Sequence, residues 1–282
     1  MSVLLPSYAT NLLRLWRGGR VLQPLVVSYC VTPLCNLNCT YCEDFGAQRN
    51  ASVTTTPLSL PDARRLLRIL RQTSGNLIVT GGEPLLYPDL DALLAWARDE
   101  LKFRSLSLLT NGTLLPERPD VLRSLDRLVI SLDAVQPDAW DNLLRAAPGT
   151  ASEIIATVAA VAELARSETG HSWETGHSWR QKAIGFRLVV HCVITPGTLD
   201  QARAVLGFCI DHGIVFSCSP QSVNNWPRYE LQVSDDYRAF LAELIDLKRA
   251  GAPILGSLPY LRLMLNFEPY ACYPLLAPRV MP

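Results

Sequence analysis

The sequence predicts an α/β fold, a partial barrel of six parallel strand-then-helix units, (β/α)6, with short helical additions at both ends. Three observations predict it. Apolar runs of strand length alternate with helical stripes between residues 25 and 222, polar and glycine-containing motifs recur where successive strands end, and 282 residues suit one barrel with appendages. The division that follows is a helical leader over 1–24, the barrel over 25–222 and a helical extension over 223–282.

The leader carries Leu4, Leu5, Tyr8, Leu12, Leu13 and Trp16 at irregular helical spacing. It is read as covering one end of the barrel; contact with a membrane surface is the alternative, supported only by Arg14, Arg17 and Arg20. Residues 25–31 have strand character. A helix over 59–74 follows, with Ser59 and Asp62 as its capping pair and Gly75 as its stop. Strands at 76–80, 105–109, 127–132, 184–194 and 214–219 alternate with helices at 89–101, 119–124, 137–145, 152–166 and one capped by Thr198 and Gln201. Helices over 234–250 and 258–267 complete the chain, and the hexapeptide at 168–173, repeated at 174–179 with His171 and His177, reads as a loop duplication.

Composition excludes several classes. Hydrophobic residues are 49% and charged residues 18%, enough to bury a core and too apolar for disorder. Twenty-six basic and 26 acidic residues cancel, which argues against a general nucleic-acid binder. The uncharged run 21–42 contains Gln23, Pro24, Pro33, Asn36 and Asn38, unsuited to a transmembrane span. No cation precedes the first short apolar stretch, so a secretory signal is not expected and the expected compartment is the cytoplasm.

Of the eight cysteines, Cys35, Cys39 and Cys42 crowd into a C-x3-C-x2-C run directly after the first strand. Three thiolates on one loop can hold three irons of a 4Fe-4S cluster, and a missing fourth ligand leaves one iron open to react. Structural zinc with a distant fourth ligand is the competing reading. Further motifs follow strands two, three and four: Gly81-Gly82-Glu83-Pro84, Thr110-Asn111-Gly112 and Ser131-Leu132-Asp133. Each falls at the carboxyl end of a strand, the end at which parallel barrels bind ligands.

With the cysteine triplet, Tyr41 just before its last member, and Gly81 to Pro84, the chain resembles the radical S-adenosylmethionine (SAM) superfamily over about residues 26–220. The resemblance implies a partial barrel of the radical SAM type, one 4Fe-4S cluster on Cys35, Cys39 and Cys42, and SAM on the open iron. It places Tyr41 by the adenine and Gly81, Gly82, Glu83 and Pro84 at the methionyl amino group, with Glu83 bracing the turn. Asn111, Ser131 and Asp133 complete the expected cofactor site. Ser131 and Asp133 share an inward strand face, and on strand five Arg187 and His191 share another, which adds both to the cofactor or substrate candidates. The implied reaction is reductive cleavage of SAM to a 5'-deoxyadenosyl radical. It requires an electron donor such as a flavodoxin- or ferredoxin-like protein, and a small-molecule, lipid or peptide substrate.

Cys192, Cys209 and Cys218 alternate with apolar residues as core thiols do, and Cys30 shares a face with Ser28 and Thr32 inside the barrel. Cys272 resembles the start of an auxiliary-cluster extension, yet no cysteine follows it. The rival classes are a zinc or iron-sulfur scaffold without catalysis and an electron-transfer protein. Within the enzyme class the rivals are a peptide-modifying maturase and an adenosyl transferase acting on a lipid.

Overall fold

The computed structural model describes residues 5–19, 22–46, 56–169, 185–223, 226–267 and 279–281. Its centre is a parallel sheet of β1 (Val27–Cys30), β2 (Asn76–Thr80), β3 (Ser105–Thr110), β4 (Arg127–Ser131), β5 (Arg187–Ile194) and β6 (Val215–Pro220). These strands lie side by side in chain order, and a short strand near the end of the chain, β9 (Arg279–Val280), pairs with the outer edge of β1. The sheet stays open, because β6 and β9 are its two edges. Both edges are covered. Phe216 of β6 exchanges backbone hydrogen bonds with Pro253 and Leu255, and β9 occupies the free side of β1, so neither side presents a bare ladder.

Helices follow the strands as the apolar stripes require: α2 (Leu60–Thr73), α3 (Leu90–Asp99), α4 (Pro137–Leu144), α5 (Thr150–Thr169) and α6 (Leu199–Asp211). α2 begins where the Ser59 hydroxyl accepts the Asp62 N–H, with Pro61 in its first turn, and buries Ala63, Leu67 and Leu70. Fully burying a leucine such as Leu67 is worth about 1.5–3 kcal/mol. Thr198 and Gln201 were expected to cap α6. Thr198 instead bonds Thr195 in the preceding loop, and Gln201 reaches Gln136 at the start of α4, so neither side chain is left for the first turn.

Register sorts the strand residues into two sets. Leu106, Leu108, Leu128, Ile130, Leu188, Val190 and Cys192 alternate onto the buried outer face beneath the helices. The opposite face sets Ser107 beside Arg127, Ser131 beside His191 and His191 beside Ser217, so the concave lining is polar.

Beyond β6 the chain forms a small hairpin, β7 (Ser222–Val223) with β8 (Trp226–Pro227), then α7 (Tyr229–Gln232), α8 (Asp235–Arg249) and α9 (Leu258–Asn266). Before β1, α1 (Leu5–Trp16) departs from expectation. It turns Ser7 and Asn11 toward the protein and leaves Leu12, Leu15 and Trp16 exposed, so it does not seal the barrel with its apolar side. Asn11 explains the inversion, since its amide exchanges two hydrogen bonds with the Gln23 backbone that an apolar residue could not make. Cys272, His171 and His177 lie outside the described residues.

Candidate active site

The three cysteines sit on the loop that leaves β1, at the carboxyl end of the sheet. Four sets of contacts hold that loop. The first comes from α4, whose last carbonyls lack intrahelical donors; those of Leu143 and Leu144 accept the N–H groups of Thr40 and Asn38 at 2.9 and 3.2 Å. The second joins Asn36 to the β3 loop: its carbonyl oxygen accepts from Asn111 Nδ2 at 2.9 Å, and its amide donates to Thr113 Oγ1 at 2.8 Å.

The glycine pair supplies the third. Gly82 N–H donates to the Thr32 carbonyl at 2.8 Å, and Glu83 N–H donates to the Leu34 carbonyl at 2.7 Å. A Cβ on Gly82 would stand 2.2 Å from the Leu34 oxygen, and one on Gly81 2.7 Å from the Thr32 oxygen. The glycines are therefore required by one backbone lying against another, which fixes the turn to the approach to Cys35. Their carbonyls accept no hydrogen bond among the described residues and stay available to an ammonium.

Tyr41 forms the fourth tether, donating its hydroxyl to Asp133 Oδ2 in a short hydrogen bond. Asp133 Oδ1 accepts the Val193 N–H at 2.7 Å, so one buried carboxylate ties the cysteine loop to β5. Desolvation pushes the Asp133 carboxyl up to about 6. Glu83 plays the same part between β2 and β3. Its Oε1 accepts from Leu85 N–H and the Thr110 hydroxyl, its Oε2 accepts the Asn111 N–H at 2.8 Å, and burial pushes its carboxyl up to about 7. Pro84, buried behind Glu83, opens a single 3-10 turn. Glu83 thus ties the turn after β2 to the end of β3.

Cys35, Cys39 and Cys42 lie near one another on this loop, although among the described residues no group of three ligand side chains stands as a ready metal site. Burial pushes the Cys35 thiol up to about 11 and the Cys39 thiol up to about 12, with the Glu83 and Asp133 carboxylates adding to each. Such thiols become thiolates only when positive charge is bound against them, as iron in a cluster provides.

His191 lies deeper in the concave face. Its Nδ1 and Nε2 each lie 3.1 Å from a serine hydroxyl, those of Ser217 and Ser219, and desolvation pushes its pKa down to about 4. The ring is neutral near pH 7. Ser131 lies beside it in register. Arg187 does not join them. It is exposed at the amino end of β5, four residues and roughly 13 Å from His191, beside Arg127 and facing away from the cysteine end. Alternation gives the face of a strand residue, and its position along the strand gives its height. The site roles of Asn36, Thr113, Ser217 and Ser219 carry no motif in the sequence, although the outward set Phe216 and Cys218 implies that Ser217 and Ser219 face inward.

Near β9, Arg279 pairs with Asp44 at 3.4 Å and lies over the Phe45 ring at 5.3 Å. It also reaches the buried Cys30 thiol, the inward residue of β1. A cavity of about 220 Å³ opens at the other edge, lined by Ser217, Cys218, Ile254, Gly256, Tyr260 and Leu261 among others.

An open parallel barrel with a tethered thiol loop and a glycine turn at its carboxyl end is the architecture of a cofactor-dependent barrel enzyme. The family model for the radical SAM superfamily matches residues 29–171 of the chain, half its length, and the protein belongs to that superfamily. Members of the superfamily use a 4Fe-4S cluster and SAM. The GTP 3',8-cyclase of Acidothermus cellulolyticus is 35% identical over 131 residues, 44% of this chain and 36% of its own. That of Mycobacterium sp. (strain KMS) is 31% identical over 205 residues, 69% of this chain and 50% of its own. The chain thus spans half or less of these curated relatives. Among solved structures, Streptococcus suis SuiB bound to S-adenosylmethionine superposes with a TM-score of 0.60 at 21% identity, over 89% of this chain and 51% of that one. The anSMEcpe structure with bound AdoMet gives 0.58 at 19% identity, over 82% and 61%. At these identities the likeness is one of fold.

Proposed function

We propose that the protein reductively cleaves SAM and directs the resulting radical to an organic substrate held in the concave face of its sheet. When bound, the cluster and SAM together supply a 5'-deoxyadenosyl radical, which abstracts hydrogen from the substrate or adds to it. Cys35, Cys39 and Cys42 would hold the cluster, and the carbonyls of Gly81 and Gly82 would receive the methionyl ammonium. Tyr41 would flank the adenine while Asp133 fixes its hydroxyl. Glu83 and Asn111 keep the β2 and β3 loops in place, and Ser131, His191, Ser217 and Ser219 offer a neutral polar lining to the substrate. Electrons come from a flavodoxin- or ferredoxin-like donor in the cytoplasm.

The observation that carries this reading is the tethering of the cysteine loop to four neighbouring elements, which prepares three thiols in fixed relation to the glycine turn. A scaffold would not need the unsatisfied glycine carbonyls, and a fully ligated electron carrier would need a fourth ligand. The match with the GTP 3',8-cyclases covers only part of each relative, so it supports cofactor use and leaves the substrate class open. The test is anaerobic reconstitution followed by iron, sulfide and 5'-deoxyadenosine assays under a strong reductant. About four irons per chain and release of deoxyadenosine are expected, both lost in Cys39→Ala. Zinc in place of iron, or a cluster that never cleaves SAM, would overturn it.

A further inference from the structure

In α1 the usual orientation of an amphipathic helix is reversed. Ser7 and Asn11 are 7% and 6% exposed, while Leu12, Leu15 and Trp16 are 66%, 51% and 83% exposed, and Tyr8 is half exposed. At about 100° per residue, Tyr8, Leu12 and Trp16 share one face, turned away from Ser7 and Asn11, and Leu15 lies at its flank beside Asn11. The polar side is held in place: Ser7 Oγ accepts from the Arg104 guanidinium at 3.0 Å, and Asn11 exchanges two bonds with Gln23. The apolar stripe therefore cannot roll inward without breaking these bonds.

Charge selects the occupant. Residues 1–42 include Arg14, Arg17 and Arg20 and no acidic residue, the first being Glu43. Arg17 is exposed immediately beyond the stripe. A second copy of this helix would set one positively charged surface against another, whereas anionic lipid headgroups neutralise it. Tyr8 and Trp16 combine apolar rings with a polar atom, the side chains that favour the boundary between headgroup and acyl chain. No helix of the described residues is long and apolar enough to cross a membrane.

We propose that α1 docks the protein on an anionic lipid bilayer, laying Tyr8, Leu12 and Trp16 into the interface with the exposed Arg17 against the headgroups. This goes beyond the SAM reading, and its test needs neither cluster nor turnover. The full chain is sedimented with vesicles of phosphatidylcholine alone and with vesicles that also contain phosphatidylglycerol. Binding to the second kind is expected, weakening as salt rises. Leu12→Glu and Trp16→Glu, both at exposed sites that leave folding unaffected, should each lower partitioning roughly tenfold or more. Arg17→Gln should lower it about fivefold. Ile69→Glu, at an exposed apolar residue of α2, should leave it unchanged. Absence of binding to either vesicle would overturn the proposal, as would binding insensitive to Trp16→Glu. A concentration-dependent dimer lost in Trp16→Glu, without vesicle binding, would assign the face to a second copy and equally overturn it.

Discussion

At the scale of single residues, the site is built from polar side chains whose capacity is already spent on one another. His191 is the clearest case, with a serine hydroxyl on each ring nitrogen and a pKa pushed down to about 4 by desolvation. In the unfolded chain the imidazole titrates near 6.5, so between about 4 and 6.5 the unfolded state binds the extra proton. The folded state should therefore lose stability as pH falls through that window, by up to roughly 3 kcal/mol. Urea unfolding across pH 4 to 7 should show a flatter profile for His191→Gln; identical slopes would mean that the ring is solvated. Tyr41→Phe would leave the buried Asp133 short of one donor, and a loss of about 1–3 kcal/mol in the same assay is expected. Inward-facing residues were legible in the sequence because strand alternation is a local property. Arg187 marks the limit of alternation alone: it shares the inward face with His191, but four residues nearer the amino end of β5 it stands away from the cysteine end.

At the scale of elements, the connection between β2 and the β1 loop governs whether the thiols stand ready. Gly82→Ala places a methyl where the Leu34 carbonyl already lies, and backbone on both sides must shift. We expect this variant to lose at least about 2 kcal/mol and to retain less iron after reconstitution than the wild type, while far-UV circular dichroism stays unchanged. Full iron retention would show that the turn is looser than its hydrogen bonds imply. The elements themselves were readable in order because each pairs an apolar run with a capped amphipathic helix, as Ser59 and Asp62 show for α2. The support that α4 gives the cysteine loop was not, because it depends on two carbonyls at a helix end that bear no side-chain signature. α1 was misjudged for a related reason: periodicity revealed a stripe, but not which side Asn11 would anchor.

On the scale of the whole molecule, the sheet is an open arc whose β1 edge is finished by two residues from near the end of the chain. Arg279 anchors that strand to Asp44 and Phe45, just beyond the last of the three cysteines. Both partners are half exposed, so Arg279→Ala should cost at most about 1 kcal/mol in global stability. Hydrogen exchange at residues 43–46 should nevertheless accelerate, with β5 unaffected; unchanged exchange there would mean that the loop holds without its outer strand. β9 was not legible in the sequence, since two residues are too few to form a pattern.

The arc also sets an order of assembly. Asp44 leaves the ribosome long before Arg279, and at about 5–20 residues per second the interval between them is on the order of tens of seconds. The thiol loop can be held only once α4 and β5 have emerged, and from then until Arg279 arrives its outer wall is missing, so the growing chain passes through a stage in which this loop is open from the side. In that stage Asp44 and Phe45 lack the Arg279 contact that holds them in the finished protein.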